Sequence, residues 1–163
     1  MRRPATLLAS LSCCLGLATC ADAPHSHVHP GAAPEAPQAA EDPRLPVQFP
    51  EEMKRHTLAN MRDHLRTLER IDSALARGDY DGAAALAEQR LGMSSLEAHG
   101  AAHLAPYMPL GMQQIGSLMH RAASRFAVEA QNAAVTNDPK PALGALSEVM
   151  RQCVACHATY RLE

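Results

Sequence analysis

The residues of this chain with the most definite chemistry are Cys153-Val154-Ala155-Cys156-His157. Two thiols three positions apart lie nearly one helical turn apart, and an imidazole follows directly. C-x-x-C-H is the attachment signature of a c-type haem. Both thiols reach the vinyl groups on one edge of a porphyrin, and His157 comes under the iron as proximal ligand. The expected cofactor is one covalent haem c held through Cys153 and Cys156. Other chemistries use the same pair differently. Tetrahedral zinc needs two more ligands, and His99 and His103 are the other close pair, so a periplasmic helical metal protein using all four is the alternative. A redox pair normally opens a helix after a strand, where the helix dipole lowers the thiol pKa. This pair lies deep in a C-terminal helix. A disulfide across three residues of regular helix is disfavoured by geometry.

The motif must be positioned by its helix. Leu143, Leu146, Met150, Cys153, His157 and Tyr160 are spaced 3, 4, 3, 4, 3, one stripe of a helix running from Ala145 and before to Arg161. This stripe is expected to face the inside of a bundle. Further helical segments precede it. Glu51 to Arg77 carries Leu58, Met61, Leu65, Leu68, Ile71 and Leu75 at helical spacing, with Pro50 before it and Gly78 after it. Asp79-Tyr80-Asp81-Gly82 reads as a turn into a helix from about Ala83 to Leu91. Ser94-Ser95-Leu96-Glu97 is a capping box, starting a helical piece with His99 and His103 on one face. Met112, Ile115, Met119, Ala122, Phe126, Ala130 and Ala133 form the stripe of the third long helix, and Asn137-Asp138-Pro139 breaks it. The fold class is all-α: an antiparallel four-helix bundle over 51–163.

The first fifty residues read differently. Met1-Arg2-Arg3 and the apolar run Ala5 to Ala18 have the regions of a secretory signal peptide, 1–20. Leu17-Ala18-Thr19-Cys20 resembles a bacterial lipobox, which would make Cys20 a lipidated membrane tether; ordinary cleavage near Cys20 or Ala21 is the other outcome. Residues 21–50, rich in Ala and Pro, read as a disordered spacer that includes His25, His27 and His29. The expected location is the periplasm, with anchoring as a lipoprotein. Lys plus Arg number 15 against 17 Asp plus Glu, so no basic excess argues for nucleic acid.

A haem motif in the last helix of a four-helix bundle resembles cytochrome c′, the class II c-type cytochromes. The match is closest over Cys153 to Arg161, where Tyr160-Arg161 follow the histidine by three and four residues. The resemblance implies that the first helix crosses the distal face of the haem. A residue three positions before a core methionine then points at the iron. With Met61 as that methionine, Leu58 takes the distal place, leaving a five-coordinate iron open to a small diatomic gas such as NO or CO. Lys54-Arg55 stand where the family has an Arg-Gln pair and supply a partner for a haem propionate; Arg161 lies near the proximal side. Met53, Met61 and His56 are the alternative sixth ligands, and a methionine there would make a low-spin electron-transfer cytochrome. The family's bundles often pair through their first two helices, so a homodimer is a further expectation.

No Ser-His-Asp arrangement, phosphate loop or paired-carboxylate motif is present. The expectation is therefore an electron carrier or gas-binding protein working with a redox partner protein, not an enzyme. Weak peroxidase activity would need a distal acid-base group, for which His56 is the candidate. His64, His99, His103 and His120 remain outside the family pattern. His99 and His103 could share a metal, with His64 or His120 completing the site; otherwise they hydrogen-bond across helix contacts or lie at the surface.

Overall fold

Pro50 opens the first helix because its fixed backbone angle suits a helix entry and no amide is wasted there. In the computed structural model, which describes residues 41–163, this helix is α1, Glu51–Ala76. It is followed by α2 Tyr80–Arg90, a single turn α3 Ala101–Leu104, α4 Leu110–Thr136 and α5 Lys140–Thr159. The architecture is an all-α helical bundle, as expected. The signal segment with Cys20, and the tract with His25, His27 and His29, lie outside the described residues. No helix among the described residues is long and apolar enough to cross a membrane.

The turns follow their residues. After α1, Gly78 takes φ 73°, its amide bonds Leu75 O at 3.0 Å, and Asp79 N bonds Ala74 O at 2.9 Å. This closes the last carbonyls of α1. Asp79 then starts α2, its carboxylate accepting from Gly82 N at 2.9 Å. Asn137, at φ 58°, ends α4, and Pro139 and Pro141 lead into α5.

The core is built of small residues. Ala83, Ala84 and Ala87 of α2 share one cluster with Ala122, Ala123, Ala130 and Ala133 of α4, Ala142, Leu146 and Val149 of α5, and Ile71 and Ala74 of α1. Phe126 is its largest fully buried side chain. α4 packs extensively along both α2 and α5, and α2 along α1, whereas α1 and α5 make little direct contact.

Three expectations need correction. The folded unit begins before Glu51: Leu45–Val47 (β1) pairs in parallel with Tyr160–Leu162 (β2), and Val47 and Phe49 are buried. The apolar residues Leu45, Val47 and Phe49 were masked by the Pro-rich average of the spacer. Second, the segment after α2 is not one helix, because Gly100 adopts φ 66° and interrupts it. Third, the buried face of α5 is Ala142, Leu146 and Val149, with Leu143 and Met150 exposed. The stripe read from spacing straddles the edge between these two faces.

Phe126→Ala should cost about 3–5 kcal/mol, because the buried cluster it belongs to is largely alanine, with little side chain to fill the cavity. Val135→Ala, at a position 88% exposed, should change stability by less than about 0.5 kcal/mol. Urea unfolding of both variants checks the contrast.

Candidate functional site

Cys153 and Cys156 are free thiols, half-buried on α5. Cys153 packs against the main core, and its Sγ donates to Val149 O at 3.5 Å. Cys156 packs in a second cluster of Val47, Phe49 and Met112 with Met53, Met108, Tyr160 and Leu162. Burial pushes both thiols up, and at Cys156 the neighbouring Cys153 adds to it. They stay protonated at neutral pH, the opposite of an activated redox pair. His157 is exposed in the last turn of α5, its carbonyl accepting from Arg44 Nη1 at 3.4 Å.

The ribbon holds the end of this helix in place. Tyr160 lies against Gly111, where an added Cβ would sit 2.5 Å from its hydroxyl oxygen. Arg161 Nε donates to Arg44 O at 3.3 Å, and its guanidinium pairs with Glu163. On α1, Met53 and Met61 are half-buried, Lys54 is half-buried and Arg55 is exposed, 3.7 Å from Glu51. Leu58 is 40% exposed. The position next to it, Thr57, is buried, and its hydroxyl oxygen has no hydrogen-bond partner among the described residues. Nothing in the apolar periodicity singled out Thr57.

The histidines sort into two groups. His103 is exposed and lines a small cleft with Glu52, Met53, His56 and Gly100. His56 Nε2 donates to His99 O at 2.9 Å. His99 turns instead toward His64 of α1 and His120 of α4, with ring centres 4.6 Å and 5.5 Å away. Gly100 separates the His99–His103 pair that sequence spacing would join. As the side chains stand, no three His, Cys, Asp or Glu donors converge on one ion position among the described residues. Cys153, Cys156, His99 and His103 therefore do not assemble as a zinc site here.

Burial pushes all three clustered imidazoles down. At His64, burial comes first, His99 and His120 add to it, and the value falls to about 4. A cleft of about 430 Å³ opens beside the cluster, lined by His99, Asn60, Asp63 and Arg90 among others. Asp63 bridges Arg90 at 2.7 Å and Arg66 at 3.3 Å.

No protein-family model, curated protein or solved structure matches the chain.

The depressed imidazoles make stability depend on acid. The unfolded chain takes up protons near pH 6.5, whereas folded His64 holds out to about pH 4. Stability should be full above about pH 6.5 and fall as pH drops toward 4. Urea midpoints measured across that range in metal-free buffer should fall for the native chain and fall less for His64→Leu. Equal slopes would contradict the assignment.

Proposed function

We propose that this chain is an exported c-type haem protein of the cytochrome c′ class, carrying electrons or binding a small diatomic gas, and not an enzyme. The observation that carries this reading is the arrangement on α5. Two half-buried thiols lie one turn apart at the inner edge of the helix, His157 follows them, and an apolar face beside them is uncovered. Leu143, Met150 and Val154 on that face are 50%, 42% and 67% exposed. α1 offers a similar face, with Leu58 at 40% and Leu65 at 71%, and it makes little contact with α5. Apolar residues left open on two sparsely touching helices suit a flat, apolar group. The Thr57 hydroxyl, one turn along α1 from Met53, adds a buried polar atom that lacks a partner among the described residues.

These residues fit the group. Cys153 and Cys156 would hold it by adding S–H across its two vinyl groups, and His157 would supply the proximal imidazole. Lys54, Arg55 and Arg161 are the candidate cations for its carboxylates. Bound there, a haem c supplies reversible one-electron exchange and an iron position open to NO or CO. Leu58 on the distal side would keep that position free of a protein ligand. A methionine ligand is favoured by one observation: Met53 packs in the same cluster as Cys156. Met61 and His56 are the other candidates on α1. Export to the periplasm, with or without a lipid on Cys20, completes the reading.

Protein made in a host that matures c-type cytochromes should give a haem c pyridine haemochrome spectrum and retain haem stain after denaturing electrophoresis. Either Cys→Ala change should leave at most one thioether, and Cys153→Ala with Cys156→Ala should abolish the stain. Stain retained in the double variant would overturn the reading. A high-spin ferric spectrum unaffected by Met53→Leu would favour Leu58 on the distal side. A low-spin spectrum that Met53→Leu converts to high-spin would identify a methionine ligand. Cys20→Ser should move the protein from the membrane to the soluble fraction if Cys20 is lipidated.

A further inference from the structure

We propose that His64, His99 and His120 form a binding site for a divalent transition-metal ion of the zinc type. The inference is independent of the haem reading and uses none of its residues. The three imidazoles come from three separate parts of the fold: α1, the turn before Gly100, and α4. Their ring centres lie 4.6, 5.5 and 6.4 Å apart, and His64 Nε2 is 3.4 Å from His99 Nε2. A tetrahedral ion with metal–nitrogen bonds of about 2.0–2.1 Å sets its imidazole nitrogens about 3.3–3.4 Å apart and its ring centres about 5 Å apart. The His64–His99 pair already has this nitrogen separation. The triangle of rings is within about an ångström or so of the requirement, the longest side being His64 to His120.

Hydrogen bonds select the tautomers. His120 Nδ1 lies 2.7 Å from Leu91 O, which can only accept, so Nδ1 carries the proton and Nε2 is a bare lone pair. The Ser95 hydroxyl donates to Gly92 O at 2.7 Å, so its oxygen is left to accept from His99 Nδ1 at 3.3 Å. That leaves His99 Nε2 bare as well. Between His99 and His64, the shared proton then belongs to His64 Nε2. To bind a metal ion through Nε2, neutral His64 would shift this one proton to Nδ1, leaving the Nε2 lone pair free. A ring nitrogen bonded to a carbonyl or hydroxyl while the other faces an ion is the usual outer support of metal-binding histidines.

Two features separate this cluster from a plain hydrogen-bond network. Two bare imidazole nitrogens and a third that donates poorly at 3.4 Å make a weak network for so buried a place. The cleft along Asp63 and Arg90 also reaches His99, giving an ion and its fourth ligand, a water, a route in. As the side chains stand the three donors do not converge, so binding would require the rings of His64 and His120, the longest side of the triangle, to turn toward a common point.

Zinc titrated calorimetrically into the chelator-stripped full chain tests the site. His25, His27 and His29→Ala should be present throughout to remove the N-terminal tract. One equivalent of zinc should bind and raise the melting temperature. His64→Ala and His120→Ala should each weaken binding at least tenfold, whereas His103→Ala should leave it unchanged. His120→Gln, closer in size, serves where the alanine variant does not fold. Ser95→Ala should weaken binding by about 10- to 100-fold if it orients His99. Absence of the single tight equivalent, or equal affinity in His64→Ala and the His120 variants, would overturn the proposal.

Discussion

The bundle depends on the close approach of α2 to α4. Ala83, Ala84 and Ala87 on one side and Ala122, Ala123 and Ala130 on the other carry no bulk that would hold the helices apart. Alanine also orders the backbone cheaply, so the same residues favour both helix and seam. The consequence is asymmetric. α4 becomes a spine shared by α2 and α5, while α1 joins through α2 and, near its end, through Ile71 and Ala74. The remaining side of the ring, between α1 and α5, lacks comparable packing. Leu65 of α1 and Met150 and Val154 of α5 are among the apolar residues these two helices leave exposed.

α1 serves two regions with one inner face. Met53 and Thr57 lie near its start, in and next to the cluster that includes Cys156. His64 comes seven residues after Thr57, about 10 Å along the axis. Asn60 and His56 grip the turn between these regions: both donate to His99 O, at 3.0 and 2.9 Å. That grip fixes the backbone of His99 while its ring points at His64. Gly100 must be glycine for this to work, because the chain reverses there in the left-handed region and a Cβ would come within 3.1 Å of His56 Nε2.

Local signals were legible where one residue decides the geometry. Pro50, Gly78 and Asn137 mark helix ends that the structure reproduces within a residue or two. The stretch Tyr80 to Gly82, which reads as a turn before a helix at Ala83, is instead already helical with Asp79 as its cap. Cys153 and Cys156 were legible because three-residue spacing alone puts them on one helix flank. What depended on helix rotation was less so. Leu143 and Leu146 differ by only three positions, yet one is half exposed and the other buried, since the seam with α4 selects between neighbouring stripes. The histidine cluster was least legible. His64, His99 and His120 are far apart in sequence, and the tempting i, i+4 pair at His99 and His103 is broken by one glycine. Ser95 reads in the sequence only as an inner position of the capping box that Ser94 opens; in the fold its hydroxyl turns inward to Gly92 O and the imidazoles.

The parallel ribbon of β1 and β2 sets an order of events. Gln48 Nε2 meets Glu163 Oε2 at 2.6 Å, across a separation of 115 residues. The turn at Gly78 closes a loop of a few residues, and the turn at Asn137 does the same. Loop closure favours these hairpins first and the ribbon last. The ribbon closes through residues 160–162, which begin three positions after His157, so before it forms there is an interval in which the end of α5 is unpaired. During that interval the thiols lie on a helix whose end is not yet pinned to the start of the fold. The ribbon is therefore the contact that fixes where Cys153 to His157 sit against the start of the described fold.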